Sequence, residues 1–203
     1  MRLSNQEFAE LKRNLARYLS RNDVRQMANF QHHGAVSTLA HCQNVATVSF
    51  WLNRRLHLRA DESALICGAV LHDYYLYDWH DPDPSHRLHG FHHAEVALKN
   101  AMEDFRLGEK EQMIIRTHMW PMNITKVPRC REAVIVCATD KYVSLMETLF
   151  QRKHVRPICK GEKEHGRSVY ERRFLARKRF YEAGKVSVRR TVAGSGDDRT
   201  KDA

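Results

Sequence analysis

The helical spacing of apolar residues constrains this chain more than any other feature of its sequence. Apolar side chains recur every three or four positions over most of residues 1–150, while the strict alternation of a half-buried strand is nearly absent. Ser4 and Glu7 form a capping-box pattern before a first helix, and Asp61 is placed to cap a later one. Further helices are predicted over about 36–57, 61–73, 91–106, 109–118 and 129–150. The pattern predicts an all-α domain.

The charge of the chain is concentrated near its C-terminus. The net charge is +10, and residues 151–203 contribute most of it, with 16 Lys and Arg against 7 Asp and Glu. We expect a helical domain over 1–150, a basic helical extension over 151–190 that packs on or beside it, and a disordered tail over 191–203. The extension either covers the domain or attracts anionic ligands. If it steers an anionic substrate, its truncation lowers kcat/KM more at low salt than at high salt.

Several absences indicate the compartment. No apolar run approaches the roughly 20 residues of a membrane span. The N-terminus, MRLSNQEFAELKR, is charged and lacks the apolar core of a signal peptide. The five cysteines form no CxxC pair, and three lie in apolar helical segments, where a free thiol packs as a small hydrophobe: Cys42, Cys67 and Cys137. We expect a cytoplasmic protein without disulfides or membrane attachment.

Histidine is unusually frequent, with 13 residues in the chain and 11 of them between positions 32 and 118. Any one of them is more often a hydrogen-bonded core residue than a ligand. A buried Asp140, amid Ile135, Val136 and Val143, would cost several kcal/mol without a partner. Four histidines and two aspartates lie at the ends or on the apolar faces of separate predicted helices, and such a set suits two divalent cations: His41, His72, Asp73, His93, His118 and Asp140.

The order of these six residues resembles the HD-domain superfamily of metal-dependent phosphohydrolases, especially members with two additional histidines for a second metal. The stretches LHGFHHAEVALKNA, IIRTHMWP and ATDKYVSLMET also resemble a group of bacterial HD proteins, and the resemblance covers about residues 30–150. It implies an HD-type helical bundle in which four residues hold the first metal: His41, His72, Asp73 and Asp140. It also implies that Asp73 bridges to a second ion held by His93 and His118.

Some assignments stay open at this point. His92 competes with His93, which is preferred because it precedes Ala-Glu-Val-Ala, where the family has its ligand. His32 and His33 lie shortly before the second predicted helix and could reach the mouth of the site. The tyrosines after the His-Asp pair either wall the cavity or pack at the edge of the core: Tyr74, Tyr75 and Tyr77.

The resemblance implies an enzyme, a metal-dependent phosphoric ester hydrolase. It would cleave a phosphoester of a small metabolite or nucleotide with a hydroxide that bridges two divalent ions of Fe, Mn or another transition metal. The candidate catalytic residues are Asp73, Lys141 and Arg116, and Lys126 and Arg87 are further positive groups. No lysine follows the His-Asp pair, where the chain reads YYLYDW, and no GYP-type motif follows the later histidines, so cleavage of cyclic dinucleotides is disfavoured.

Two other functions remain open. A few HD-fold proteins with the same six ligands are di-iron oxygenases, and ligand spacing does not separate them from hydrolases. A non-catalytic protein that binds nucleic acid through residues 151–190 is the other alternative.

Overall fold

The computed structural model describes residues 3–32, 36–78 and 89–150, except the side chains of His89 and Phe150. Within these ranges the chain is helical, and its only β pairing is an isolated bridge between Gln31 and Ser37. The α-helices are α1 (Asn5–Leu19), α2 (Asn22–Arg25), α3 (Thr38–Arg55), α4 (Glu62–Leu71), α5 (His89–Asp104), α6 (Glu109–Thr117) and α7 (Arg131–Phe150), with a 3-10 helix at Gln26–Asn29. The predicted all-α class is confirmed.

Both predicted helix starts are confirmed. The Ser4 hydroxyl accepts a hydrogen bond from the Glu7 N–H at 3.2 Å, and the Glu7 carboxylate accepts one from the Ser4 N–H at 2.7 Å. The Asp61 carboxylate accepts from the N–H groups of Ser63 and Ala64. These contacts satisfy N–H groups that have no partner within the helix.

Helices α3 and α4 form the centre of the bundle. Helix α3 packs against α4 and α7, and α6 packs against α4, α5 and α7. The sequence of α4, ALICGAVL after the first turn, is apolar on every side, which is typical of a helix surrounded by others. Gly68 lets α6 approach closely, because a Cβ atom there would lie 2.5 Å from the Ile114 side chain. The C-terminal ends of α4 and α6 are therefore neighbours.

The structure moves several predicted boundaries. Helix α5 begins at His89 rather than at 91, which places His93 in its second turn, and α7 begins at Arg131. The helix predicted over 61–73 ends at Leu71, because the Tyr74 N–H turns back to the Leu71 carbonyl at 3.1 Å. Helix α2 and the 3-10 helix were not predicted, since each is only four residues long.

All described residues belong to Met1–Lys163, the first of two compact units of the chain. The predicted basic extension over 151–190 and the tail over 191–203 lie outside the described residues. Across the described ranges, no helix is long and apolar enough to cross a membrane.

Candidate metal centre

The six side chains singled out in the sequence lie close together in the interior of the bundle. His41 is in the first turn of α3, His72 and Asp73 follow α4, His93 is in α5, His118 follows α6 and Asp140 is in α7. Each of the six has at most 6% of its surface exposed. The cluster therefore gathers residues from five helices, and these residues are separated by up to 99 positions in the chain.

Two of the histidines are oriented by the helices that they follow. His72 Nδ1 lies 2.8 Å from the Ala69 carbonyl oxygen, and His118 Nδ1 lies 2.8 Å from the Ile115 carbonyl oxygen. These carbonyls belong to the last helical turns, where acceptors lack intrahelical partners. An Nδ1–H that donates to such a carbonyl leaves the Nε2 lone pair of a neutral imidazole facing the centre.

We define the first ligand group as His41, His72 and Asp140, whose ligand atoms lie within 4.8 Å of one another. His41 Nε2 is 3.1 Å from Asp140 Oδ1, and His72 Nε2 is 3.7 Å from the same oxygen. Asp73 Oδ2 faces this group at 3.4 Å from His72 Nε2 and 4.0 Å from His41 Nε2. Two imidazoles and two carboxylates therefore surround one point.

We define the second ligand group as Asp73, His93 and His118. Asp73 Oδ1 lies 3.3 Å from His93 Nε2 and 3.5 Å from His118 Nε2. The two imidazole Nε2 atoms are 2.9 Å apart, so a proton or a cation must lie between them for the contact to be attractive. Asp73 thus presents one oxygen to each group. The neighbouring His92 is exposed, whereas only 5% of the surface of His93 is exposed, and only His93 contacts the cluster.

The donor set fits divalent metal ions. His72 Nε2 and Asp73 Oδ1 are buried and make no hydrogen bond of normal geometry. An unsatisfied buried polar atom costs roughly 1–3 kcal/mol, and a cation at either ligand group would compensate that cost. Imidazole nitrogen and carboxylate oxygen are ligands that transition-metal ions accept. The ligand role of each residue stays a prediction.

The pKa values of the cluster reflect the same arrangement. Burial lowers the pKa of His41, but hydrogen bonds to Asp140 and Glu147 outweigh burial and raise it to about 10. For the Asp140 carboxyl, burial acts in the opposite direction and raises the pKa. Contacts with His41 and His72 outweigh burial and hold this pKa well below its usual range. Burial and the charges of His72 and His93 lower the pKa of His118 to about 3. His118 is therefore a neutral donor, while His41 must release a proton when it binds a cation.

His32 is a further histidine at the centre. Its Nε2 lies 3.1 Å from Asp73 Oδ2, and its ring stacks on the His41 ring with centroids 3.8 Å apart. The His32 N–H donates to the Val36 carbonyl at 2.8 Å, which positions the residue just before α3. The sequence allowed His32 and His33 to reach the mouth of the site. The structure brings His32 to the cluster, and His33 lies outside the described residues.

Sequence reasoning missed Glu147, which is fully buried in α7. Its Oε2 lies 2.9 Å from His41 Nδ1, and its Oε1 accepts a hydrogen bond from Asn44 at 2.8 Å. Burial raises the pKa of this carboxyl, but the contacts with His41 and Asn44 more than offset burial and the net effect is a lowered pKa. The spacing of Glu147 and Asp140 could have indicated this residue, because Glu147 follows Asp140 by two helical turns and lies on the same face of α7.

The structure describes three of the four positive residues that the sequence placed near a substrate, and Lys141 is the one that contacts the cluster. The Lys141 ammonium donates to the His118 carbonyl at 2.6 Å and lies 3.7 Å from Asp140 Oδ2. Arg116 lines a surface cavity of about 380 Å³ together with α5 residues, among them Lys99 and Glu103. Lys126 pairs with Glu95, and Arg87 lies outside the described residues. The catalytic roles of Lys141 and Arg116 therefore stay predictions.

The tyrosines after the His-Asp pair divide between the two expected roles. Tyr75 is buried, its ring contacts the His93 ring edge-to-face at 5.9 Å, and its hydroxyl lies 3.1 Å from the Thr38 hydroxyl. Tyr74 points to the core, where its hydroxyl donates to Asp104 at 2.9 Å. Tyr77 packs beside Tyr75 at 4.9 Å between ring centroids and is half-buried. Tyr75 thus walls the second ligand group, and Tyr74 is a packing residue.

A comparison with protein families places this cluster in context. The family model described as HD domain matches residues 38–145, a range that begins with α3 and contains all six predicted ligands. This chain belongs to the HD-domain family. Neither the curated proteins nor the solved structures compared with it include a match. The HD domain, which is characteristic of metal-dependent phosphohydrolases, runs from α3 into the last turns of α7 and includes Asp140 near its end.

Proposed function

We propose that this HD-domain protein is a metal-dependent phosphohydrolase that cleaves a phosphoester of a small metabolite or nucleotide. The observation that carries the proposal is that Asp73, a member of the second ligand group, also faces the first group. Its Oδ2 lies 3.4 Å from His72 Nε2, and its Oδ1 lies 3.3 Å from His93 Nε2. A carboxylate shared in this way is the typical bridge between two divalent cations.

The cation-binding residues proposed for the centre are the first and second ligand groups defined above. Divalent ions bound there would supply Lewis-acid stabilisation of phosphoryl oxygens and activation of water. Phosphoryl transfer needs little further chemistry from a protein beyond positioning and positive charge. The chain's own contribution is therefore to hold its donors in one orientation and to exclude bulk water, which the burial of all six side chains achieves.

In this proposal Lys141 contributes positive charge from the position that its ammonium already occupies. Its ammonium is held by the His118 carbonyl and lies 3.7 Å from Asp140 Oδ2. It thereby ties the end of α6 to α7 and partly balances the negative charge of the first ligand group. His32 lies on the Oδ2 side of Asp73 and has 11% of its side chain exposed, so it can contact a substrate oxygen at that point.

The first test replaces the shared carboxylate. Asp73→Ala is expected to lose bound metal and to lower hydrolysis of p-nitrophenyl phosphate by at least about 100-fold, because the second ligand group loses its carboxylate and the first loses the Asp73 oxygen that faces it. The measurements are metal per chain after removal of free Mn²⁺ and the rate of phosphate release. Asp104→Ala is the matched control, since Asp104 accepts a hydrogen bond from Tyr74 outside the cluster.

Two results would contradict the proposal. An Asp73→Ala protein that still binds as much metal as the wild type would exclude the shared-ligand role. Oxygen uptake by the iron-loaded wild type, without phosphate release from a phosphoester panel by the Mn²⁺ form, would assign the oxygenase alternative.

A further inference from the structure

Glu147 is a buried carboxylate with a specific pair of partners. It has no exposed surface, and its two oxygens contact His41 Nδ1 at 2.9 Å and Asn44 Nδ2 at 2.8 Å. No lysine or arginine among the described residues forms an ion pair with it. A carboxylate placed in this way is costly unless its partners donate hydrogen bonds, so His41 Nδ1 carries its proton toward Glu147.

The contact between His41 and Glu147 determines which atom the opposite side of the imidazole presents to the ligand group. With Nδ1–H donated to Glu147, the Nε2 lone pair of neutral His41 faces Asp140 Oδ1 at 3.1 Å. Two electron-rich atoms at that distance need a cation or a proton between them. A carboxylate that accepts the Nδ1–H of an imidazole also makes its Nε2 a stronger ligand for a metal ion than a neutral acceptor does.

The other oriented histidines have no such partner. His72 and His118 donate their Nδ1 protons to the neutral backbone carbonyls of Ala69 and Ile115. The first ligand group therefore combines Asp140 with a carboxylate-backed imidazole and faces one oxygen of Asp73. Among the described residues, the second ligand group consists of the other oxygen of Asp73 and two imidazoles. Two described carboxylates besides Asp73, those of Asp140 and Glu147, contact His41 of the first ligand group.

We propose that Glu147 is a positioning residue that makes the first ligand group, His41, His72 and Asp140, the tighter of two cation sites. The inference rests on the metal centre of the proposed function. One ion is then retained firmly beside α7, and the second, at Asp73, His93 and His118, exchanges more readily. Glu147 touches no substrate and acts only through His41.

The decisive variant is Glu147→Gln, which keeps the shape of the side chain and an oxygen that can accept from His41. Calorimetric titration of the metal-free protein with Zn²⁺ is expected to show the tighter step weakened by about 10–100-fold, with the weaker step unchanged. Glu132→Gln is the matched control: Glu132 is a buried glutamate of the same helix, and it accepts from the Asp61 N–H and Lys110. The control should leave both steps unchanged.

Equal weakening of both steps, or no change in either, would overturn the role of Glu147. If Glu147→Gln does not fold, a Mn²⁺ titration of the wild-type protein tests whether the two sites are unequal. Electron paramagnetic resonance during Mn²⁺ titration should show isolated ions up to one equivalent and coupled pairs only beyond it. Coupled pairs at substoichiometric Mn²⁺ would contradict unequal sites.

The outcomes separate this inference from the proposed function. Two unequal binding steps, of which Glu147→Gln weakens only the tighter, without hydrolysis of any phosphoester would reject the hydrolase and retain the role of Glu147. Hydrolysis together with two equal binding steps would retain the hydrolase and reject the role of Glu147.

Discussion

At the scale of the residue, the chemistry of the centre depends on which atom receives the proton of each imidazole. Backbone carbonyls take this position for His72 and His118, and a carboxylate takes it for His41. In each case the remaining nitrogen, Nε2, faces the carboxylates of the cluster. The orientation of these rings is therefore set by contacts on the side away from the centre, as is usual for histidines that bind metals.

The adjacent histidines at the start of α5 provide a residue-scale prediction. His93→Ala is expected to abolish metal binding at the second ligand group and to lower phosphoester hydrolysis at least about 100-fold, because His93 Nε2 lies 3.3 Å from Asp73 Oδ1. His92→Ala is the matched control, since His92 is exposed on the same helix. Metal content and phosphate release measure both variants, and the opposite ranking would assign the ligand to His92.

At the scale of the element, the turn after α4 must hold Asp73 between two groups of ligands. The turn is strained, because Leu76 is a buried non-glycine residue with φ of 58°. Helix α5 stabilises it through one side chain: the Asn100 amide donates to the carbonyls of Tyr74 and Tyr75, each at 3.1 Å. The helix that carries His93 is thus tied to the turn that carries Asp73.

Removal of this tie gives an element-scale prediction. Asn100→Ala is expected to lower the free energy of unfolding by about 2–3 kcal/mol, because two buried carbonyls lose their donor. It should also weaken metal binding, since the Asp73 turn is no longer held against α5. Urea denaturation and metal titration measure the two effects.

The matched control for that experiment is Asn123→Ala, which removes a single exposed hydrogen bond to the Phe91 carbonyl of the same helix. Its effect on unfolding should stay within about 0.5 kcal/mol. An Asn100→Ala protein as stable as this control would show that the turn keeps its conformation without α5.

At the scale of the whole molecule, the buried cluster makes folding depend on protons when no metal is bound. The folded chain retains a proton on His41 to about pH 10 and keeps His118 neutral down to about pH 3. Both histidines titrate near 6.5 when unfolded. The pH therefore acts on the two residues in opposite directions.

The metal-free protein is accordingly expected to be most stable near pH 6.5. The contribution of His41 is complete below its unfolded pKa and is lost as the pH rises through the folded pKa of about 10. Below pH 6.5 the unfolded chain takes up a proton that folded His118 does not, so stability also falls on the acid side. Each proton changes the free energy of unfolding by about 1.4 kcal/mol per pH unit.

Urea denaturation in the presence of a chelator, repeated from about pH 5 to about pH 9, measures this profile. In Mn²⁺-saturated protein the decline above pH 6.5 should disappear, because His41 as a ligand is neutral and has no second proton to lose. Stability of the metal-free form that increases from pH 6.5 to about pH 9 would contradict the raised pKa of His41.

Particular residues show how much of the candidate site could be predicted from the sequence. The faces of His41, with Val45 and Val48, and of Asp140, with Val136 and Val143, follow from helical periodicity, which is local in sequence. The partners of Lys141 and His118 could not be predicted, because both contact backbone carbonyls, which every residue carries. The stacking of His32 on His41 depends on a non-helical segment without periodicity.

The sequence by itself determined the helical class, the helix caps at Ser4 and Asp61, and the order of the candidate ligands. These properties depend on contacts within a few residues. Only the tertiary structure decided that Asp73 faces both ligand groups and that Glu147, 106 positions from His41 along the chain, supports one of them. Such pairings depend on how helices distant in sequence pack, and side-chain spacing within one helix shows which residues share a face but not which residues that face meets.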